Sequence, residues 1–354
     1  MCNLALDSVS FLLYLTQKQA KRHWSRGLNP SFDQQAESYK KLIDSRIFEL
    51  IDKTEPELLY EPVRYALQSG GKRLRPVLLL WACEAVNGDI ENAVDAAAAV
   101  EIVHNFTLVH DDIMDRDELR RGRETVYKHW NESVAILTGD AMLVKAYQTL
   151  TAILKPDTFP IFDEFSRAIL DICEGQIMDM NFETRNNVSL DEYFRMIDNK
   201  TAQLFSLACT LGAKLGRGTD KQIAMMQQYG IAIGHAFQIQ DDLLDVMADE
   251  NVFGKDVGSD LYKDKKTFLI IHARESASEK QAKQLDNKLH LLKNGQTSVN
   301  EILAVLKEIG TIDAAKNEIR KALNTAGQSL EPLPESQARH YLNELIKTIE
   351  HRTF

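Results

Sequence analysis

Residues 92–114 read NAVDAAAAVEIVHNFTLVHDDIM, a stretch that is rich in alanine and Leu-type residues and contains no proline or glycine. This composition favours a long helix, because alanine has the highest intrinsic helix propensity and turn residues are few. Residues 134–154 and 221–247 are also free of proline and rich in apolar residues, with few turn signals. We therefore expect long helices at these three positions, and the first and third carry acidic residues near their ends.

Proline spacing and helix-capping signals extend the helical prediction along the chain. The segments 77–155 and 161–331 contain no proline, and proline is the residue that most disrupts a helix interior. Ser189–Glu192 and Ser298–Glu301 each place a serine three residues before a glutamate, which is the pattern of a capping box at a helix start. No alternating, strand-like segment stands out, so the sequence predicts an all-α fold.

Bulk composition excludes several classes of protein. The 354 residues are 44% hydrophobic and carry a net charge of −10, so the chain can bury a core but lacks the basic footprint of nucleic-acid-binding proteins. None of the four cysteines belongs to a CxxC motif, which is typical of reduced thiols in a cytoplasmic protein. The apolar run Ser10–Leu15 is too short to span a bilayer. We expect an N-terminal extension over residues 1–30 and one domain over residues 31–354, with no transmembrane segment.

Two acidic clusters with the same spacing of aspartates occur in the chain. Asp111–Asp115 reads DDIMD and Asp241–Asp245 reads DDLLD, and each cluster follows a strongly apolar run. On a helix the first and last aspartates of each cluster share a face, where their charges repel unless a cation is bound. Mg2+ commonly uses one or two carboxylates together with substrate phosphates. The pair therefore predicts two facing helices that hold a diphosphate through Mg2+, rather than two solvated acidic helix ends.

Basic residues flank these acidic clusters along the sequence. Gly70–Pro76 reads GGKRLRP, and Leu119–Arg123 reads LRRGR. Arginine forms forked contacts with phosphate oxygens and lysine supplies a point charge. Each motif alone is equally well explained as a solvated turn, but their placement beside the acidic clusters predicts a site for anionic substrates.

The motifs GGKRLRP, HDDIMD with the RRG that follows it, KTAQLF, GHAFQIQDDLLD and GKDVGSDL occur in this order. Together they resemble the motifs of the trans-isoprenyl diphosphate synthases, the polyprenyl synthetase family, over residues 35–350. The resemblance implies an isoprenoid synthase fold, a helical bundle around a central active-site cavity. It also implies a homodimer that depends on Mg2+, with about three ions per active site.

The resemblance assigns roles to residues that match the family's motifs. The metal ligands that it implies are Asp111, Asp115, Asp241 and Asp245. The neighbouring carboxylates that support them in catalysis are Asp112 and Asp242. The groups expected at the allylic diphosphate are Arg120, Lys200 and Lys255. The groups expected near the carbocation are Thr201 and Gln238.

A second substrate pocket, for isopentenyl diphosphate, is implied by the same resemblance. Its expected residues are Gly71, Lys72, Arg75, His104 and Arg121. Lys265 is also expected to bind substrate, but it departs from the family's Gly-Lys-x-Thr pattern because Asp264 replaces the glycine.

The implied reaction is ionisation, condensation and elimination. Positive charge neutralises the leaving diphosphate, which lowers the barrier to cleavage of its C–O bond. The double bond of isopentenyl diphosphate, held in the correct orientation, then attacks the allylic cation. A proton is finally lost to the released diphosphate, so no histidine or glutamate general base is required.

Product length is expected to depend on Phe106, Thr107 and Val103, which precede Asp111 by five, four and eight residues. At about 1.5 Å per residue, Phe106 lies roughly 7–8 Å deeper along the helix than Asp111. A large side chain at this position resembles the shorter-chain enzymes of the family, in which it forms the floor of the cavity that holds the growing tail. The small Thr107 beside it closes only part of that floor. We therefore expect a linear C20 product, geranylgeranyl diphosphate, with a C15 or a longer product as the alternatives.

Two further readings of the sequence remain open. A terpene cyclase on the same fold would explain the first acidic cluster, but not the second cluster or the basic motif Gly70–Pro76. A non-catalytic partner subunit would typically have lost one or both acidic clusters, whereas this chain keeps both.

Overall fold

The computed structural model describes residues 30–155, 158–185, 187–247 and 258–351. The described part is helical apart from one two-stranded hairpin, which confirms the all-α prediction. The described residues fall into two compact units: those within 1–166, 207–226 and 333–342 form the first, and those within 167–206, 227–332 and 343–354 form the second.

The helices before residue 155 belong to the first unit. In chain order they are α1 (Phe32–Leu50), α2 (Glu57–Leu67), α3 (Leu74–Ala85), the 3-10 turn Ile90–Asn92, α4 (Val94–Met114), α5 (Val126–His129) and α6 (Glu132–Ile153). Strands β1 (Leu119–Arg120) and β2 (Arg123–Glu124) pair antiparallel between α4 and α5.

The later helices are α7 (Pro160–Glu183), α8 (Leu190–Ile197), a π-helical turn (Asp198–Ala202), α9 (Gln203–Leu215), α10 (Asp220–Met247), α11 (Ser259–Tyr262), α12 (Phe268–Ser276), α13 (Glu279–Lys293), α14 (Val299–Ile309), α15 (Thr311–Leu330) and α16 (Gln337–Glu350). The three long helices expected from sequence are α4, α6 and α10, with ends within two residues of the predicted limits. Among the described residues, no helix combines the length and the apolar character needed to cross a membrane.

Helix α4 forms the centre of the first unit. It packs against α1, α3 and α6, and residues Ala96–Ala99 are completely buried. Alanine side chains let neighbouring helices approach closely, and interiors of this kind are packed as densely as organic crystals. Burial along nearly the whole of α4 holds the acidic end of the helix in a fixed position.

In the second unit, glycines on α10 allow close packing. A Cβ on Gly230 would lie 2.6 Å from the carbonyl oxygen of Phe205, and a Cβ on Gly234 would collide with Ala202. Real Cβ atoms do not approach backbone so closely, so both positions need glycine. This packing brings α10 against the π-helical turn and the start of α9.

Two local expectations have different outcomes. Ser189 and Glu192 form the predicted capping box at the start of α8, with both reciprocal hydrogen bonds present. The capping box predicted at Ser298 and Glu301 is wrong: Ser298 precedes α14 but makes no side-chain cap bond. The Glu301 carboxylate pairs with Lys288 of α13 instead.

Candidate active site

The first acidic cluster lies at the C-terminal end of α4 in the first unit. Asp112 is buried, whereas Asp111 and Asp115 are half-buried. One oxygen of Asp112 accepts a hydrogen bond of 2.6 Å from Nε of Arg120. Burial raises the pKa of Asp112 to about 6, against the opposing effect of Arg120. Asp112 therefore anchors the arginine hairpin, and Asp111 and Asp115 present the more accessible carboxylates.

The hairpin formed by β1 and β2 was not expected from the sequence. Its turn residues Arg121 and Gly122 have φ values of 53° and 75°, as required at both central positions of a type I′ hairpin turn. Each strand has only two residues, too short for an alternating pattern to be seen. The turn directs the Arg121 guanidinium to the carbonyl oxygen of Gly70.

Gly71 makes room for this arginine. Its φ of 128° is unfavourable for other residues, and a Cβ there would lie 2.6 Å from Nη1 of Arg121. The glycine pair of the GGKRLRP motif therefore gives Arg121 its place beside the Gly70 carbonyl.

The three cations of that motif have different environments. Lys72 is exposed, and Arg75 is half-buried, with Nη1 at 3.3 Å from Nε2 of His104. Arg73 is 4% exposed and forms ion pairs with Glu101 at 2.7 Å and Asp44 at 2.8 Å. Arg73, although it lies in the same basic motif as Lys72 and Arg75, is thus bound in the interior of its own unit.

His104 lies in a strongly positive environment. Its pKa is well below the usual value, first because the ring is buried and then because Arg75, Arg121 and Arg120 are close. Burial also lowers the pKa of Arg121, with Arg73 and Arg120 acting in the same direction. The imidazole is therefore neutral, and the clustered guanidinium groups would be stabilised by a bound anion.

In the second unit, the π-helical turn carries Lys200 and Thr201. Such turns occur mostly as single insertions within α-helices, often at functional sites. Gly175 of α7 allows the turn to approach, because a Cβ at this position would collide with the backbone of Lys200. Nζ of Lys200 donates to the Asp179 carboxylate at 2.5 Å.

The second acidic cluster lies near the end of α10. Asp242 is 4% exposed, and burial raises its pKa to about 7. Thr201 Oγ1 donates to Gln238 Oε1 at 2.8 Å, and Gln238 Nε2 donates to Asp242 at 2.9 Å. The residues expected near the carbocation thus form one hydrogen-bonded chain with Asp242, next to the half-buried Asp241.

Asp245 has local partners. Its carboxylate accepts a hydrogen bond from the Ser259 hydroxyl at 3.0 Å and one from the Asp260 backbone N–H at 3.1 Å. Burial and then the Asp260 charge raise the pKa of Asp245 to about 6. Asp245 therefore fixes the start of α11 in addition to any role toward a metal.

The lysines expected at the substrate have different outcomes. Lys255 lies outside the described residues. Lys265 is half-buried, follows Asp264 in a left-handed conformation (φ 59°), and donates its backbone N–H to the carbonyl oxygen of Asp260. Among charged groups, Lys265 has the largest effect on the pKa of Asp260, so it contributes positive charge near Asp245.

Three residues of this region were not found from the sequence: Asp179, Tyr193 and Asp260. Asp179 binds Lys200, Tyr193 binds Asp242, and the half-buried Asp260 donates its backbone N–H to Asp245. The available signal was the GSDL part of the GKDVGSDL motif, which contains Asp260. Nothing in local spacing marks the other two.

The residues expected to control product length lie on α4. Val103 is fully buried and Phe106 is 7% exposed. The Phe106 ring meets His110 edge-on, with centroids 4.9 Å apart. Thr107 donates its hydroxyl to the carbonyl oxygen of His104 at 2.8 Å, so its small side chain is bound to its own helix.

The donor set fits a hard divalent cation. No three His, Cys, Asp or Glu side chains form a ready metal-binding group within the described ranges. Mg2+ does not require such a group, because it retains waters and is typically bound by one or two carboxylates plus substrate phosphates. Asp111 and Asp115, half-buried at the helix end, supply the oxygen ligands that this ion prefers.

An all-α fold with aspartate-rich helix ends and a cluster of arginines defines a class of enzyme that handles diphosphates. Residues 56–309 match the family model described as "Polyprenyl synthetase". A geranylgeranyl diphosphate synthase from Methanosarcina mazei is 42% identical over 283 residues, which are 78% of this chain and 84% of that protein.

A geranylfarnesyl diphosphate synthase from Natronomonas pharaonis is 33% identical over 333 residues, which cover 89% of this chain and 96% of the relative. The crystal structure of a geranylgeranyl pyrophosphate synthetase from Pyrococcus horikoshii has a TM-score of 0.86 at 39% identity. That likeness covers 91% of this chain and 98% of that one. This chain belongs to the polyprenyl synthetase family.

Proposed function

We propose that this protein is a Mg2+-dependent trans-prenyltransferase that condenses isopentenyl diphosphate with allylic diphosphates. The observation that carries the proposal is the grouping of Arg75, His104 and Arg121. These cationic and neutral donors accompany the paired carboxylates Asp111 and Asp115 in one unit. A reaction between two diphosphates needs such a mixture, since both anions must be neutralised.

The substrate diphosphates are held by different groups in this proposal. Lys72, Arg75, His104 and Arg121, with Gly71 giving space, bind isopentenyl diphosphate. Neutral His104 donates a hydrogen bond, and the guanidinium groups form forked contacts. The groups that bind the allylic diphosphate are Arg120, Lys200, Lys255 and Lys265.

The residues that would hold about three Mg2+ ions in this proposal are Asp111, Asp115, Asp241 and Asp245, and the bound ions would supply Lewis-acid stabilisation of the leaving diphosphate. The chain's own residues perform the remaining tasks. Asp112 orients Arg120 toward the departing oxygen, and the Thr201 and Gln238 oxygens face the allylic carbon. These dipoles stabilise positive charge without capturing it, because they are already hydrogen-bonded to each other.

We propose geranylgeranyl diphosphate (C20) as the product. The Phe106 ring, buried and fixed against His110, supports a floor below the acidic cluster. The geranylgeranyl diphosphate synthase from Methanosarcina mazei fits this length, and the Natronomonas pharaonis relative, a geranylfarnesyl diphosphate synthase, makes a longer product the first alternative.

We also propose that the protein acts as a homodimer in the cytoplasm. A stripe of apolar side chains on α7 supports the dimer, with Leu170, Ile177 and Met180 exposed by 62%, 57% and 39%. Their spacing of seven and three residues keeps them on one helix face, and monomers rarely expose large apolar patches.

The described cysteines, Cys83, Cys173 and Cys209, are free thiols, which suits a reducing compartment such as the cytoplasm.

Diphosphate release tests the reaction class. Purified protein is mixed with isopentenyl and farnesyl diphosphates, and inorganic diphosphate is measured with a coupled phosphate assay. Release is expected only when both substrates and Mg2+ are present. Asp111→Asn should lower the rate at least 100-fold, while the matched exposed control Asp140→Asn should leave it unchanged. Equal rates for the two variants would contradict the proposed metal ligand.

A further inference from the structure

Buried Asp242 receives three hydrogen bonds from the second unit. Tyr193 donates its hydroxyl to Oδ2 at 2.7 Å, and the Phe268 backbone N–H donates to the same oxygen at 3.0 Å. Gln238 Nε2 donates to Oδ1 at 2.9 Å. Tyr193 is 1% exposed and Asp242 is 4% exposed, so this is an interior network in which each bond is strengthened by the low local dielectric.

The network fixes which way the Gln238 side chain points. All three groups that reach the Asp242 carboxylate are hydrogen-bond donors, and the group of Gln238 that faces Asp242 is its NH2 group. The carbonyl oxygen of Gln238 then lies on the other side, where it accepts a hydrogen bond from the Thr201 hydroxyl, with the two oxygens 2.8 Å apart. If the Asp242 carboxylate rotated, the amide could turn over and present donors in place of its oxygen.

Tyr193 determines whether Asp242 can rotate. The phenol and the Phe268 backbone N–H both hold Oδ2, which leaves Oδ1 directed at Gln238. Tyr193 is itself held in place by edge-on contacts with Phe268 and Phe194 at centroid distances of 6.1 Å and 5.7 Å. It belongs to α8, which carries none of the expected catalytic residues.

We propose that Tyr193 is a positioning residue for the condensation, which acts through Asp242 to hold the Gln238 carbonyl oxygen toward the allylic carbon. This inference rests on the proposed prenyltransferase function. It assigns Tyr193 no contact with substrate. A dipole aimed at developing charge helps mainly in the transition state, so its loss should lower kcat with little effect on KM.

Tyr193→Phe tests the proposal against a matched control. The control is Tyr39→Phe, which also removes a buried tyrosine hydroxyl that hydrogen-bonds a carboxylate, that of Glu84 in the first unit. Both variants should lose a similar amount of thermal stability. Tyr193→Phe should lower kcat on the order of tenfold, less than the roughly 100-fold for loss of a direct dipole, with both KM values within about twofold. Tyr39→Phe should retain the wild-type kcat.

A double-mutant cycle separates positioning from general destabilisation. If Tyr193 acts through Gln238, Tyr193→Phe should add almost nothing to the kcat loss already caused by Gln238→Leu. Fully multiplicative losses, or a Tyr193→Phe variant with the wild-type kcat, would overturn the inference.

A further variant covers the case in which Tyr193→Phe does not fold. The isosteric Asp242→Asn replaces one carboxylate oxygen by an NH2 donor, and the part of its kcat loss that acts through Gln238 should likewise disappear in the Gln238→Leu background. An unaffected kcat in Asp242→Asn, or losses that multiply, would also overturn the inference. Absence of any condensation product from the wild-type protein would refute the proposed function itself, which distinguishes the two failures.

Discussion

Replacing Phe106 by alanine is expected to lengthen the product by one isoprene unit, from C20 to C25. The ring is 7% exposed and lies about 7–8 Å below Asp111 along α4. The next large side chain on this face is Val103, about 4.5 Å deeper at 1.5 Å per residue. With carbon–carbon bonds of about 1.5 Å, the four chain bonds of an isoprene unit extend roughly 5 Å. Removal of the ring therefore opens space for about one unit before Val103 blocks the tail.

The assay is a product-length measurement at saturating substrates. Dephosphorylated products of wild type and Phe106→Ala are separated by reversed-phase chromatography and identified by mass. Phe32→Ala serves as the control, because Phe32 also has one ring contact, with Trp81 at 5.3 Å, but lies on α1. The control should keep the C20 product, and both variants should keep turnover within a few-fold of wild type. An unchanged C20 product from Phe106→Ala would remove Phe106 from the floor.

Three other predictions address binding, stability and the metal. Gly71→Ala should raise the KM for isopentenyl diphosphate about tenfold by displacing Arg121, whereas Gly327→Ala on α15, where φ is not positive and a Cβ meets no atom within 4 Å, should not; equal KM values in steady-state kinetics would contradict this. Burial raises the pKa of Glu84 from 4.5 to about 7, so its contribution to stability is complete below pH 4.5 and is lost as the pH rises through about 7. Glu84→Gln keeps an acceptor for Tyr39. Its free energy of unfolding in urea should therefore equal that of wild type at pH 4 and exceed it by about 3 kcal/mol at pH 8; the same difference between variant and wild type at both pH values would refute the raised pKa of Glu84. Chelation of divalent cations should abolish condensation, and added Mg2+ should restore it fully; turnover that persists after chelation would exclude the proposed metal dependence.

The helical framework could be predicted because its signals are local. Long proline-free segments and alanine-rich composition identified α4, α6 and α10 within two residues at each end. The capping box at Ser189 formed as expected. The failure at Ser298 has a tertiary cause: its partner Glu301 pairs with Lys288, a residue on a different helix, and local sequence does not report such competition.

The direction of each charged side chain could not be predicted in the same way. The sequence places Lys72, Arg73 and Arg75 in one basic run, yet Arg73 lies inside its unit because Glu101 and Asp44 bind it there. Those carboxylates are 28 and 29 residues away in the chain. Side-chain direction thus depends on long-range partners that a motif does not contain.

The same limitation explains the residues that were missed. Tyr193 and Asp242 are 49 residues apart, and Lys200 and Asp179 are 21 apart. Motifs predicted the residues that we propose to bind substrate, since those positions share short patterns. The residues that orient them become visible only when the chain is folded.

The proposed synthesis of a C20 prenyl diphosphate is tested most directly by three parallel incubations, each with a different allylic starter. Protein, Mg2+ and isopentenyl diphosphate are mixed with dimethylallyl, geranyl or farnesyl diphosphate, and the dephosphorylated products are identified by chromatography and mass spectrometry. We expect the same linear C20 alcohol from all three starters. A cyclic hydrocarbon formed without isopentenyl diphosphate, or no product from any starter, would contradict it.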